Sequence, residues 1–137
     1  MNKRFENWQY PEIIDGEQTK YGWIVKGVQF FKLGYKTDIG AYTYINASYG
    51  VEIEENVQIG SHCSLYSVST IDNKQGKILL KKGCCIGTHS VIMPGITIGE
   101  NSIIGAFSFV NKDIPDNVIA FGVPVKVIRN LANDEIY

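Results

Sequence analysis

Aliphatic residues recur at every sixth position along much of this 137-residue chain. Leu80, Ile86, Ile92, Ile98, Ile104 and Val110 keep that interval without a slip. Upstream, Leu33, Ile39 and Ile45 keep it, and so do Ile53, Ile59, Leu65 and Ile71. Two breaks interrupt the count: two extra residues between Ile45 and Ile53, and three between Ile71 and Leu80. Glycine follows the aliphatic residue at Gly34, Gly40, Gly60, Gly87, Gly99 and Gly105. Four places after the aliphatic residue stands a small one: Thr37, Thr43, Val57, Cys63, Ser69, Cys84, Ser90, Ser102 and Ser108, with only Tyr49 and Ile96 departing.

No helix has a period of six. A short strand of period two followed by a two-residue corner does. Three such sides close one coil, with the aliphatic and small columns pointing inward onto their equivalents one coil away. The corner pairs are Glu55-Asn56, Ser61-His62, Thr88-His89 and Glu100-Asn101, and Asn and His accept the positive φ that the second position needs. The expectation is an all-β parallel β-helix of about four coils in a single domain, 1–137. Residues 1–32 form an N-terminal cap carrying Trp8 and Trp23, residues 33–112 the repeat, and residues 113–137 a C-terminal segment and tail. The polar run Asp72–Lys77 leaves the barrel within a loop at 72–79, and residues 130–137 end as a short helix or a frayed tail.

Composition narrows the function classes. Thirteen Lys plus Arg against fourteen Asp plus Glu, with no basic run, give no electrostatic reason to bind nucleic acid or an anionic membrane. No apolar stretch reaches the roughly 18 residues of a membrane span, and the first residues do not read as a signal peptide. Three cysteines without metal-type spacing read as reduced thiols, so a cytoplasmic location is expected. Cys63 and Cys84 fall in the inward column, whereas Cys85 faces outward. The 52–55 run EIEE reads as a solvated edge.

The hexad [LIV]-G-x-x-[STAV]-x, and above all residues 86–129, IGTHSVIMPGITIGENSIIGAFSFVNKDIPDNVIAFGVPVKVIR, resemble the hexapeptide-repeat acyltransferases of the maltose/galactoside and nucleotide-amino-sugar groups. The resemblance implies a left-handed coil; the usual crossover rule would have given the opposite hand. It implies a homotrimer with acetyl-CoA lying between subunits and no metal. It places Thr88 and Ala106 at the corner contacts with the pantetheine arm, and Lys112, Lys126 and Arg129 with CoA, the last two near its phosphates. Two features depart from the pattern. Cys85 stands where many relatives carry Trp, and the loop region YSVSTIDNKQGKIL lacks the histidine that galactoside-type members use as base.

Only His62 and His89 exist to accept a proton, and both occupy second corner positions, where a residue tolerant of positive φ is needed in any case. His62, on the coil before the loop, is the first candidate for the general base, and His89 is the second. Asn46, just before the first break, is the candidate acceptor contact or else shapes that insertion by a local side-chain bond. Tyr42, Tyr44 and Tyr66 line the groove between subunits or pack in the trimer. The expected function is acetyl transfer from acetyl-CoA to a sugar. A nucleotide-linked amino sugar heads the acceptors, since a neutral amine needs no strong base. Sugar O-acetylation and a non-catalytic trimeric scaffold are the alternatives. A zinc site of three histidines is excluded by a chain that has two in no matching motif.

Overall fold

The structure, a computed structural model, describes residues 5–136. Of seventeen short strands among the described residues, numbered in chain order, fourteen wind into a left-handed parallel β-helix, and there is no α-helix among those residues. One face stacks β1 (Ile24–Lys26), β4 (Tyr44–Asn46), β7 (Ser64–Tyr66), β12 (Val91–Ile92) and β15 (Phe109–Val110). The second stacks β2 (Phe31–Leu33), β5 (Val51–Ile53), β10 (Ile78–Leu80) and β13 (Thr97–Ile98), and Ile114 continues it by a bridge to Ile98. The third stacks β3 (Asp38–Ile39), β6 (Gln58–Ile59), β11 (Cys85–Ile86), β14 (Ile103–Ile104) and β16 (Val118–Phe121), closed by the antiparallel β17 (Lys126–Asn130). β8 (Val68–Ser69) and β9 (Lys74–Gln75) form a separate hairpin.

Register explains the period. Ile45 pairs with Leu65, Leu65 with Ile92 and Ile92 with Val110, so one aliphatic column threads the first face and is fully buried. The small column is polar for a reason. The Thr43 hydroxyl donates to the Gly60 carbonyl at 2.9 Å, and the Ser90 hydroxyl donates to that of Gly105 at 3.2 Å. In return Cys63 N–H donates to Thr43 Oγ1 at 3.2 Å, and Ser108 N–H to Ser90 Oγ at 3.2 Å. Each hydroxyl thus satisfies corner groups that turning away from the strand ladder would orphan. Among the described residues no buried side-chain N or O lacks a partner. The corner glycines answer a different need: a Cβ on Gly60 would sit 2.7 Å from the Thr88 backbone nitrogen.

Three boundaries differ from the sequence expectation. The coils begin at Ile24 and end at Phe121 rather than spanning 33–112, so the first and third faces each carry five parallel strands instead of about four. The interval varies at these ends: Val25 to Leu33 is eight residues and Val110 to Ile114 is four, because the corner between the first and second faces changes length. Ile71 keeps the count by chance. It lies 97% exposed beyond the β8 strand, and the chain leaves the coil at Val68, before the expected 72–79 loop. Ser67, not Ser69, fills the inward small slot, donating to the Asn46 carbonyl at 2.7 Å.

The N-terminal segment covers the open end of the first coil. Trp23 is buried, and Trp8 donates its indole N–H to the Thr37 carbonyl at 2.7 Å. The tail ends in a single 3-10 turn, Asn133–Glu135. The acidic 52–55 run is ion-paired rather than merely solvated, Glu52 with Lys77 at 2.8 Å and Glu55 with Lys82 at 3.4 Å.

Truncating the inward column should be expensive and truncating the false match should not. Ile98→Ala and Ile104→Ala are each expected to lower unfolding free energy by roughly 2–5 kcal/mol, as for buried aliphatic side chains. Ile71→Ala should leave the chemical-denaturation midpoint where it is; equal losses at all three positions would contradict the assigned phase.

Candidate functional site

The corner joining the third face to the first has the same four-residue form on successive coils: 40–43 GAYT, 60–63 GSHC, 87–90 GTHS and 105–108 GAFS. Its third residue takes positive φ each time, 66° at Tyr42, 58° at His62, 60° at His89 and 60° at Phe107. Identical backbone at a strand spacing of about 4.8 Å puts planar side chains at stacking distance. Tyr42 and His62 lie 5.1 Å apart between centroids, His62 and His89 4.7 Å with planes at 5°, and His89 and Phe107 4.9 Å at 14°. Four rings therefore line one exposed edge, and the two histidines treated separately in the sequence are neighbours within it.

Their surroundings differ. His89 Nδ1 lies 2.8 Å from Thr88 Oγ1, and the Thr88 hydroxyl donates to the Ser61 carbonyl at 2.7 Å. Ser61 Oγ adds a third contact to Thr88 Oγ1 at 3.2 Å. His62 is held by ring contacts, and among the described residues no hydrogen bond reaches its imidazole. The sister corners Asn56 and Asn101, with φ of 61° each, belong to a different edge, between the second and third faces, where Asn101 donates to Asn117 Oδ1 at 3.2 Å.

Thr88 and Ala106 sit one coil apart on the ring edge, where Phe107 N–H donates to the Thr88 carbonyl at 2.9 Å. Beside them a shallow groove of about 360 Å³ runs over the third face, lined by Gln58, Ser61, Cys85, Gly87 and Ile103. Lys112 is exposed at the next corner, and Lys126 and Arg129 are exposed on β17. Asn46 ends β4 at the opposite end of the first face from the histidines, roughly 13 Å along the strand from their corner. Its Oδ1 accepts the Ser48 N–H at 3.0 Å, the local bond that shapes the break. Tyr44 and Tyr66 pair on that face at 5.8 Å.

The thiols offer no nucleophile. Burial pushes Cys63 and Cys84 up from the ordinary thiol range, and it raises half-buried Cys85 as well. Among the described residues no three His, Cys, Asp or Glu side chains gather as metal ligands, and no helix is long and apolar enough to cross a membrane.

The sequence reading names the two histidines and, for the groove, Tyr42, but not Phe107, nor that Tyr42 and Phe107 share the histidines' slot at three residues after Ile39 and Ile104. Nor does it show that Arg129 is already engaged. Its guanidinium holds Glu135 by two bonds, at 2.7 and 2.8 Å.

Comparison with known proteins follows the same lines. Residues 77–112 match the family described as bacterial transferase hexapeptide (six repeats). A galactoside O-acetyltransferase of Escherichia coli K12 is 40% identical over 74% of this chain and 58% of its own length. A hexapeptide-repeat-containing acetyltransferase of Vibrio cholerae, solved with acetyl coenzyme A, superposes with a TM-score of 0.76 at 25% identity, over 81% of this chain and 66% of that one. AntD, an N-acyltransferase of Bacillus cereus solved with dTDP and 3-hydroxybutyryl-CoA, gives 0.69 at 28% identity, over 82% and 66%. The chain spans less than three-fifths of the length of the galactoside O-acetyltransferases it matches.

The Arg129–Glu135 pair has a direct signature. The side-chain bonds from Arg129, then the Ala132 N–H, hold the Glu135 carboxyl from the ordinary 4.5 down to about 2. Its anchoring of the tail is therefore complete above the ordinary carboxylate range and is lost as pH falls through about 2. A carbon-detected NMR titration should place the Glu135 midpoint near 2 and return it toward the ordinary range in Arg129→Ala. An unshifted midpoint in the native chain would show that the pair does not hold the tail.

Proposed function

We propose that this chain is a hexapeptide-repeat acyltransferase that moves an acetyl group from acetyl-CoA to a sugar. The observation that carries the reading is the histidine stack on an exposed corner, with Thr88 and Ala106 beside it and an open groove alongside. Acetyl-CoA supplies the activated thioester. Corner backbone at Thr88 and Ala106 fits an extended pantetheine arm, and Lys112, Lys126 and Arg129 supply cations for phosphate.

Transfer is direct. The acceptor's N or O attacks the thioester carbonyl carbon, the C–S bond breaks, and the acceptor proton passes to the histidine stack, at His62 or at His89. The protonated imidazole then returns that proton to the departing thiolate, so the products are acetylated acceptor and CoA thiol. A corner N–H serves the developing oxyanion. No covalent enzyme intermediate is needed, in keeping with thiols that burial keeps protonated.

The acceptor we infer is an amino sugar linked to a nucleotide. Two observations support it: the hairpin region carries no histidine, and an N-acyltransferase solved with dTDP shares the fold. O-acetylation of a sugar is the second reading, favoured by the 40% identity to a galactoside O-acetyltransferase. Either acceptor would meet the chain at a composite site in a homotrimer, since the flat outer faces leave Tyr44 and Tyr66 for a neighbouring copy to cover.

A thiol-release assay with acetyl-CoA against nucleotide-linked amino sugars and simple glycosides tests the reading. Wild type should release CoA thiol with at least one acceptor, and silence across the panel in a well-folded protein would leave the scaffold reading. Removing the base should lower kcat by roughly 10²–10⁴ with little change in CoA affinity, because its task exists only in the transition state. His62→Asn and His89→Asn, which both suit a positive-φ corner, identify which ring that is. Lys126→Ala with Arg129→Ala should instead raise KM for acetyl-CoA at nearly constant kcat. Sedimentation should give three times the 15.3 kDa chain mass, and a monomer at micromolar concentration would remove the composite site.

A further inference from the structure

The two imidazoles are alike in slot and exposure but not in how their protons are fixed, and that difference deepens the acetyl-transfer reading on which this inference rests. A threonine hydroxyl has one proton and two lone pairs. The Ser61 carbonyl can only accept, so the 2.7 Å contact to it commits the Thr88 proton. Thr88 Oγ1 then faces His89 Nδ1, at 2.8 Å, as an acceptor. A hydrogen bond at that distance requires the proton on Nδ1. In a neutral imidazole this leaves Nε2 bare, with its lone pair at the far end of an exposed ring. The plane of that ring is fixed independently, sandwiched between His62 at 4.7 Å and Phe107 at 4.9 Å. His62 has the stacking but, among the described residues, no hydrogen bond to choose its tautomer.

We propose that Thr88 is a positioning residue that locks His89 in the Nδ1–H tautomer, so that His89 Nε2 is the proton acceptor of the transfer reaction. The proton leaving the acceptor amine or hydroxyl goes to His89 Nε2 while Nδ1–H keeps its bond to Thr88 Oγ1. The imidazolium so formed loses the Nε2 proton to the CoA thiolate, and the ring returns to its starting tautomer. This places the base at the second of the two sequence candidates. It also gives the Thr88 side chain a task separate from any contact its backbone makes with the donor substrate.

The chain has two histidines, so ¹⁵N-labelled imidazoles give two spin systems that a His62→Asn sample assigns. Long-range ¹H–¹⁵N correlation at a pH where the rings are neutral should show His89 with a protonated Nδ1 and a bare Nε2. Thr88→Val, which keeps the shape and removes the oxygen, should shift His89 toward the Nε2–H form and lower kcat by about tenfold or more without raising KM for acetyl-CoA. Thr88→Ser restores the acceptor and should recover both tautomer and kcat. An Nε2–H tautomer in the wild type, or a Thr88→Val spectrum with His89 unchanged, would overturn the assignment. His89→Asn retaining full kcat would overturn the base role. The spectra need no turnover: a wild type that shows the Nδ1–H tautomer but never releases thiol overturns the acetyl-transfer reading and leaves the tautomer lock standing.

Discussion

The whole structure depends on equivalent residues lying one coil apart at the separation of hydrogen-bonded strands. Side chains are admitted to the corners only where that separation leaves room. Gly60 and Gly87 face the backbone of Thr88 and Ala106 so closely that a Cβ would collide. The small inward residues serve the same spacing from inside, since Thr43, Ser90 and Ser108 each bond a corner carbonyl. Because each corner repeats the last, whatever occupies one position meets the occupant of the same position above and below. Aliphatic residues become a continuous core, Asn101 and Asn117 a hydrogen-bonded pair, and rings a stack.

That repetition made the core legible. Ile45, Ile53, Leu65, Leu80, Ile92, Ile98 and Ile104 lie inside because the period of six survives every regular corner. Legibility failed where the period and the coil part company. Ile71 follows Leu65 by six residues, yet the chain has already left the coil at Val68, and composition alone does not mark that exit. At both ends the coil continues under a changed interval, from Val25 to Leu33 and from Val110 to Ile114, so a strict count stops a coil too soon.

The site was half legible for the same reason. The slot of His62 and His89 could be read, and so could its positive φ. Their contact could not, because 27 residues and a hairpin separate them, and only the completed coil shows that both fall on one edge while Asn56 and Asn101 fall on another. Tyr42 and Phe107 look like unrelated aromatics until the corners are aligned. Glu135 lies outside the repeat altogether, so its hold on Arg129 leaves no periodic trace.

A base on a coil corner differs physically from one on a projecting loop. The hairpin of β8 and β9 is an exposed excursion, and Lys74 and Gln75 are exposed within it. His89 shares its corner with Thr88 and lies one coil from Ala106, within a ladder of backbone bonds that runs from Ala41 through Ser61 to Thr88 by way of the His62, His89 and Phe107 N–H groups. If Thr88 and Ala106 hold the donor and His89 takes the proton, as proposed, one repeating unit registers both, and little ordering remains when the acceptor arrives. On the proposed reading, the stack offers at a rigid corner the base that the hairpin region, which has no histidine, does not supply.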